Sequence, residues 1–309
     1  MPSSLPAGHP ALPDVLPPEH PAAEHLQQYL ERWGLEPDGP LTESATSVLL
    51  PVRRGTDLAL LKVARIEEER RGGQLMAWWG GRGAARVLEH DDTAVLLERA
   101  TGPRSLTVLA GTGVGSPGWE REDLHATEVL CEVARTLHAV DDVETQRPDR
   151  LVPLSTWFRD LLALEGERRG FIHRSAVLAR ELLADPWDET VLHGDLHHGN
   201  VLDFGTVQGA QWRAIDPKSL LGERGFDLAN ILCNPSAAAA TTPGRLSRQV
   251  VAISEATGID RVRMLQWVVA WCGLSATWYG EPRDAASSAR SLAVQVGRTA
   301  EDLLRATST

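Results

Sequence analysis

Residues 191–216, VLHGDLHHGNVLDFGTVQGAQWRAID, carry the side chains whose types and spacing could do chemistry. His193, Asp195 and Asn200 stand in the pattern H-x-D-x-x-x-x-N, and Asp216 follows Asn200 by sixteen residues. Transfer of a phosphoryl group asks for little covalent help from a protein. It needs a placed acceptor hydroxyl and metal ions that neutralise charge on the phosphates. One carboxylate to accept the hydroxyl proton, with one amide oxygen and a further carboxylate for magnesium, would supply both. A hairpin with Asp and Asn as turn caps is the plain alternative.

The elements that must position these groups can be read around them. Val191-Leu192 before His193 and Val201-Leu202 after Asn200 read as short buried strands that hold a rigid loop. Upstream, Ser47–Val52 and Leu58–Val63 are apolar runs joined by RRGT, which reads as a hairpin. Lys62 sits inside the second run. A lysine in a buried strand is costly unless its ammonium meets an anion, although one snorkelling from a strand end would escape that cost. Leu26, Tyr29, Leu30 and Trp33 mark one helix face that Gly34 is placed to end. The glycines of GGRG (80–83) and GTGVGSPG (111–118) follow helix-like stretches and read as turns rather than nucleotide loops. Leu130, Val133, Ala134 and Leu137 share a helix face, as do Leu154, Trp157, Phe158, Leu161 and Leu162 after Pro153. Trp267, Trp271, Leu274 and Trp278 form a stripe that reads as core, with a ligand-facing tryptophan as the other possibility. A last helix is expected from near Asp284 to the end.

HGDLHHGN, with IDP downstream, resembles the catalytic and metal-binding segments of the protein-kinase-like fold in its small-molecule form, the aminoglycoside phosphotransferases. The branch it most resembles contains streptomycin 6-phosphotransferases and hydroxyurea phosphotransferases. ERWGL, W-G-G-x-G-x-x-R, LLER, LHAV, W-x-A-I-D-P-K and G-x-x-G-F-D-L carry that likeness over nearly the whole chain after the first residues. The resemblance implies an α+β fold, protein-kinase-like and bilobal. A proline-rich extended arm (1–21) would precede a small N-lobe with an antiparallel sheet (22–98) and a larger, mostly helical C-lobe (99–309).

It further implies ATP and magnesium as cofactors. Asp195 would orient the acceptor hydroxyl and take its proton, and Asn200 and Asp216 would hold the metal. Lys62 would meet the phosphates, and the loop LTESATS (41–47) would cover them with backbone amides and the hydroxyls of Ser44, Thr46 and Ser47. Backbone groups at Glu98 and Ala100 would hold adenine where the lobes join. Asp227 would brace the catalytic loop. The family's glutamate partner of Lys62 falls at or near Gly72, where this chain has none. Glu67, Glu68 and Glu69 are the nearby acids; either one substitutes, with Glu68 favoured, or the pair is absent and the three are a solvated helix start. Residues 203–205 spell Asp-Phe-Gly, the tripeptide that carries a magnesium ligand in protein kinases. Asp203 follows Asn200 too soon for the chain to go out and return, whereas Asp216 has that room, so the metal is assigned to Asp216 and Asp203 to a turn.

Composition sets the remaining bounds. The 309 residues suffice for two lobes, and the net charge of −11 disfavours nucleic acid while suiting a cationic small molecule. Acidity for solubility alone is the plainer reading of that charge. If the acceptor is a polycationic aminoglycoside, most simply streptomycin at its 6-hydroxyl, its pocket should be acidic. Glu223, Glu255, Glu281 and Asp284 are the candidates by location. Cys131, Cys233 and Cys272 are scattered with no C-x-x-C pair, which fits free thiols in a reducing cytoplasm. No signal segment or membrane span is expected, and a monomer or homodimer would serve. A kinase of another small molecule, a nucleotide-binding pseudokinase and an interaction protein remain the other readings.

Overall fold

The computed structural model describes residues 23–143, 146–166, 169–279 and 285–307, with the side chains of 23–24 and 285–290 left aside. The expected arm (1–21) lies outside them. The chain divides into two compact units, residues 1–70 with 87–99, and residues 71–86 with 100–309.

The first unit is an antiparallel sheet with a helix against it. After α1 (Ala23–Trp33) come β1 (Glu36–Pro37), β2 (Thr42–Glu43), β3 (Ser47–Arg54), β4 (Asp57–Ala64), the start of α2 (Glu67–Trp79, counted with the second unit from residue 71), then β5 (Val87–His90) and β6 (Ala94–Glu98). The sheet order is β1-β3-β4-β6-β5, with β2 on β3. Side chains alternate across a strand, so Val48, Leu50 and Val52 of β3 and Ala59, Leu61 and Val63 of β4 fall on one buried face with Leu26 of α1. The same alternation puts Lys62 on the opposite face. Removing such aliphatic side chains from water contributes about 1.5–3 kcal/mol each. That is why the two apolar runs read correctly as a hairpin.

The second unit is mostly helical. Its elements are α3 (Leu106–Gly111), α4 (Trp119–Asp141), β7 (Val152–Pro153), α5 (Leu154–Trp157), α6 (Arg159–Ala163), α7 (Phe171–Ala184), β8 (Glu189–Leu192), β9 (Val201–Asp203), β10 (Trp212–Ala214), β11 (Leu220–Glu223), α8 (Gly225–Ala229), a 3₁₀ turn (Asn230–Cys233), α9 (Ala237–Ala240), α10 (Arg245–Thr257), α11 (Arg261–Trp278) and α12 (Ala285–Thr307). The α4 face predicted from Leu130, Val133, Ala134 and Leu137 is buried. Asp260 caps α11, its side chain accepting from Arg263 N at 3.0 Å. Rings of Phe158, Phe226 and Trp267 meet edge to face with centroids 5.7–6.3 Å apart, the packing their quadrupoles prefer.

Two small sheets frame the stretch of interest. β11 pairs antiparallel with β8 and parallel with β7, and β9 pairs antiparallel with β10. The loop 193–200 therefore leaves one sheet and enters the other, fixed at both ends. No helix among the described residues is long and apolar enough to cross a membrane.

Candidate active site

His193 begins the loop, and it is fully buried. Burial lowers its pKa, so the ring is neutral at neutral pH. A neutral ring with Nε2–H donating to Ile215 O at 2.9 Å leaves Nδ1 to accept Asp195 N–H at 3.2 Å. Trp79 stacks on the same ring at 6.0 Å. Gly194 has φ of 85°, and a Cβ there would sit 2.8 Å from Leu220, which accounts for glycine between His193 and Asp195. Asp227 holds the turn from below, accepting His193 N–H at 2.9 Å and Gly194 N–H at 2.7 Å while His138 Nε2 lies 2.9 Å away. Burial by itself would raise the Asp227 carboxyl, but the His138 hydrogen bond and charge and the Gly194 N–H hold it below the usual range. Asp227 thus braces the loop from inside the protein.

Asp195 emerges from this frame with its side chain 34% exposed. Asn200 Nδ2 donates to its Oδ2 at 3.2 Å and its main-chain oxygen at 2.9 Å, and Asn230 Nδ2 donates to Oδ1 at 2.8 Å. Burial pushes the Asp195 pKa up and Asp216 adds to it, while His197, Lys218 and the Asn230 hydrogen bond pull it back. The His197 ring lies 3.9 Å away, and burial lowers its pKa. Lys218 and Asn230 carried no sequence expectation. Lys218 stands inside the quoted W-x-A-I-D-P-K, and Asn230 has no local pattern that could have found it.

The hairpin expected beyond Asn200 is present. Val201–Asp203 goes out, Trp212–Ala214 returns in register, and Ile215 N donates to Asn200 O at 2.9 Å. Asp216 is thereby set beside the loop, with φ of 61°, a left-handed conformation that aspartate tolerates better than most residues. Asp203 sits at the far end and is more than a turn residue. It is buried, Oδ1 accepts from Gly205 N and Gln211 N at 2.8 and 3.0 Å, and Oδ2 meets Arg104 Nη1 at 3.1 Å. Both amide protons of Asn200 lie toward Asp195, leaving its oxygen for other partners. An amide oxygen with the Asp216 carboxylate is a hard-oxygen donor set suited to magnesium.

The nucleotide-side candidates fall in the first unit, apart from Ala100. Lys62 is paired with Glu69 at 2.5 Å, not with Glu68. Successive helix residues turn by about 100°, so of the three acids only Glu69 is turned inward to a buried position. A side chain at 72 would meet Pro217 O at 2.7 Å, so this chain has no room for a glutamate there. Ser44, Thr46 and Ser47 form one tight turn. Thr46 N and Ser47 N donate to Ser44 Oγ at 3.2 and 3.0 Å, so the Ser44 hydroxyl organises the backbone amides of that turn. Glu98 ends β6 opposite Ala59, and half-buried Ala100 follows it.

A cavity of about 470 Å³ in the second unit opens onto Asp195 and His197. Its walls include Asn230, Asn234, Trp271, Trp278 and Tyr279. Trp267 is core as expected, whereas Trp278 is 46% exposed and faces the cavity. The expected acidic lining is not seen: among the described lining residues Asp195 is the only carboxylate. Glu281 and Asp284 lie outside the described residues. Glu255 is exposed and paired with Arg261 at 3.3 Å. Glu223 is buried, its Oε1 accepting from Arg263 Nε at 2.9 Å and Trp267 Nε1 at 2.7 Å, and Oε2 from Arg263 Nη2 at 2.6 Å. Glu223→Ala would strand the Arg263 charge, and removal of one partner of a buried pair costs about 3–5 kcal/mol. Chemical denaturation should show that loss, with the acceptor KM of the folded fraction unchanged.

Together, the sheet-bearing first unit, the helical second unit and the loop at 193–200 define a protein-kinase-like phosphotransferase. The description "Aminoglycoside/hydroxyurea antibiotic resistance kinase" belongs to the family model that matches residues 32–282, and the chain belongs to that family. It is 44% identical to a streptomycin 3''-kinase of Klebsiella pneumoniae over 255 residues, covering 81% of this chain and 90% of that protein. It is 31% identical to a streptomycin 6-kinase of Streptomyces glaucescens over 273 residues, 84% of each. A thermostable mutant of aminoglycoside phosphotransferase APH(4)-Ia, in a ternary complex with ADP and hygromycin B, shares the fold with a TM-score of 0.56 at 14% identity, covering 90% of this chain and 97% of that one. The enzyme is a phosphotransferase with an alcohol group as acceptor.

Proposed function

We propose that the enzyme transfers the γ-phosphoryl group of ATP to streptomycin, at the 3''-hydroxyl rather than the 6-hydroxyl expected from sequence. The observation that carries the acceptor is the 44% identity to the streptomycin 3''-kinase across 90% of that protein, against 31% to the 6-kinase. In the reaction the acceptor O–H loses its proton to Asp195 as its oxygen bonds to phosphorus, and ADP leaves. Asn200 and Asp216 would hold magnesium, which when bound supplies positive charge to the phosphates. Lys62, fixed by Glu69, binds phosphate oxygens. The hydroxyls of Ser44, Thr46 and Ser47 would serve phosphate oxygens, and backbone groups of Glu98 and Ala100 would serve adenine. The aromatic faces of Trp271, Trp278 and Tyr279 give a cationic acceptor a partner other than carboxylate; such contacts are worth about 0.5–2 kcal/mol each.

Incubation with streptomycin, ATP and magnesium should give a product heavier by one HPO3 unit. Fragmentation across the glycosidic bonds should place that unit on the methylaminohexose ring. Phosphate on the streptidine ring would overturn the position, and no phosphorylated product would overturn the acceptor.

A further inference from the structure

A base in phosphoryl transfer must present one oxygen along a fixed direction, and an aspartate χ2 torsion is broad and does not fix it. Two amide donors flank the Asp195 carboxylate, Asn200 on Oδ2 and Asn230 on Oδ1. Asn200 has a second task, since its oxygen is the proposed metal ligand. Asn230 is not a metal ligand in that reading: it is 5% exposed, belongs to the 3₁₀ turn after α8, and its side chain bonds on one side to the carboxylate.

The other side of Asn230 settles which way its amide points. Asn234 Nδ2 donates to Asn230 Oδ1 and to Asn230 O, both at 3.0 Å. Flipping the Asn230 amide would set oxygen against the Asp195 carboxylate and nitrogen against the Asn234 nitrogen, two repulsive contacts in place of two bonds. Asn234 is anchored in turn: Arg245 Nη2 donates to its main-chain oxygen at 2.9 Å, and Arg245 is buried in a two-pronged pair with Asp123, each bond 2.9 Å. The order Asp123, Arg245, Asn234, Asn230, Asp195 runs from the buried core to the carboxylate. A carboxylate oxygen with one donor keeps a lone pair for a further proton.

We propose that Asn230, oriented by Asn234, is a positioning residue for the transfer: it fixes the Asp195 carboxylate in the direction from which that carboxylate takes the acceptor proton. This rests on the reading of Asp195 as the base. Asn230 also lines the acceptor cavity, so the split between kcat and the acceptor KM is what separates positioning of Asp195 from binding.

The test uses the full-length enzyme with streptomycin, ATP and magnesium. Asn230→Leu keeps the volume and removes the donor. A misaimed catalytic group costs up to about a hundredfold, so kcat should fall roughly 10- to 100-fold, with both KM values within about threefold and the thermal midpoint little changed. A residue that merely filled space would be replaced by leucine with kcat intact. Asn234→Ala, which leaves Asn230 in place and removes its orienting donor, should give a smaller fall in kcat with the same KM pattern. Wild-type-like kcat in Asn230→Leu overturns the inference. If that variant does not fold, unchanged kcat in Asn234→Ala overturns it. Asp195→Asn, run in parallel, separates the two readings. Loss of turnover there with full turnover in Asn230→Leu defeats only the positioning role, and retention of turnover in Asp195→Asn defeats the base and the positioning role together.

Discussion

Asp195→Asn is expected to lower kcat by roughly two to four orders of magnitude, the usual worth of a positioned proton acceptor. The substitution keeps the shape of the side chain and loses two properties at once. An amide cannot take the proton, and its NH2 must face one of the two donors that now hold the carboxylate, Asn200 or Asn230. Folding should survive. The loop is held by the His193 and Gly194 N–H bonds to the Asp227 carboxylate and by the His193 ring bond to Ile215 O, which the substitution does not touch. ATP affinity should hardly move, because the Asp195 side chain faces amide donors and the acceptor cavity. Initial rates with thermal melting on the same preparation decide the matter. A folded variant that keeps more than about a tenth of wild-type turnover would show that another group takes the proton.

How much of this was legible in the sequence varied with how local the physics is. The β3–β4 hairpin and the α4 face follow from alternation and helical periodicity, and both depend on residues close in sequence. The return of the chain from Asn200 to Asp216 was legible because a hairpin needs a minimum length, which 203–205 does not leave and 204–211 does. The partner of Lys62 was not legible. Which of Glu67, Glu68 and Glu69 faces the sheet depends on the rotation of α2 against β4, and that is set by packing rather than by any of the three residues. Glu223 was misread for a similar reason: an acid near a motif looks like ligand chemistry until Arg263 and Trp267 are seen to bury it. Asn230 and Asn234 belong to no spacing rule. Only the fold brings them to Asp195, thirty-five residues away in the case of Asn230.

The two aspartates of the outgoing and returning strands should separate cleanly. Asn is among the few residues that adopt a left-handed backbone readily, so Asp216→Asn keeps the φ of 61° while exchanging the charge and one carboxylate oxygen for an NH2. Magnesium takes carboxylate oxygen in preference to a neutral amide, and the proposed donor set would fall to two amides. Magnesium-dependent turnover should then drop below detection across a magnesium titration, with the thermal midpoint retained. Asp203→Asn should do the opposite. Its carboxylate accepts from Gly205 N, Gln211 N and Arg104, and an NH2 placed against any of these donors leaves buried groups unmatched at about 1–3 kcal/mol. Burial would raise its pKa, but the Gln211 and Gly205 backbone N–H groups and Arg104 hold the carboxyl below the usual range, which favours the charged form. The variant should melt earlier yet turn over near normally per folded molecule, because Asp203 stands at the end of the hairpin away from Asn200. Lost turnover in a stable Asp203→Asn, with activity kept in Asp216→Asn, would move the metal to Asp203 and overturn the assignment of Asp216.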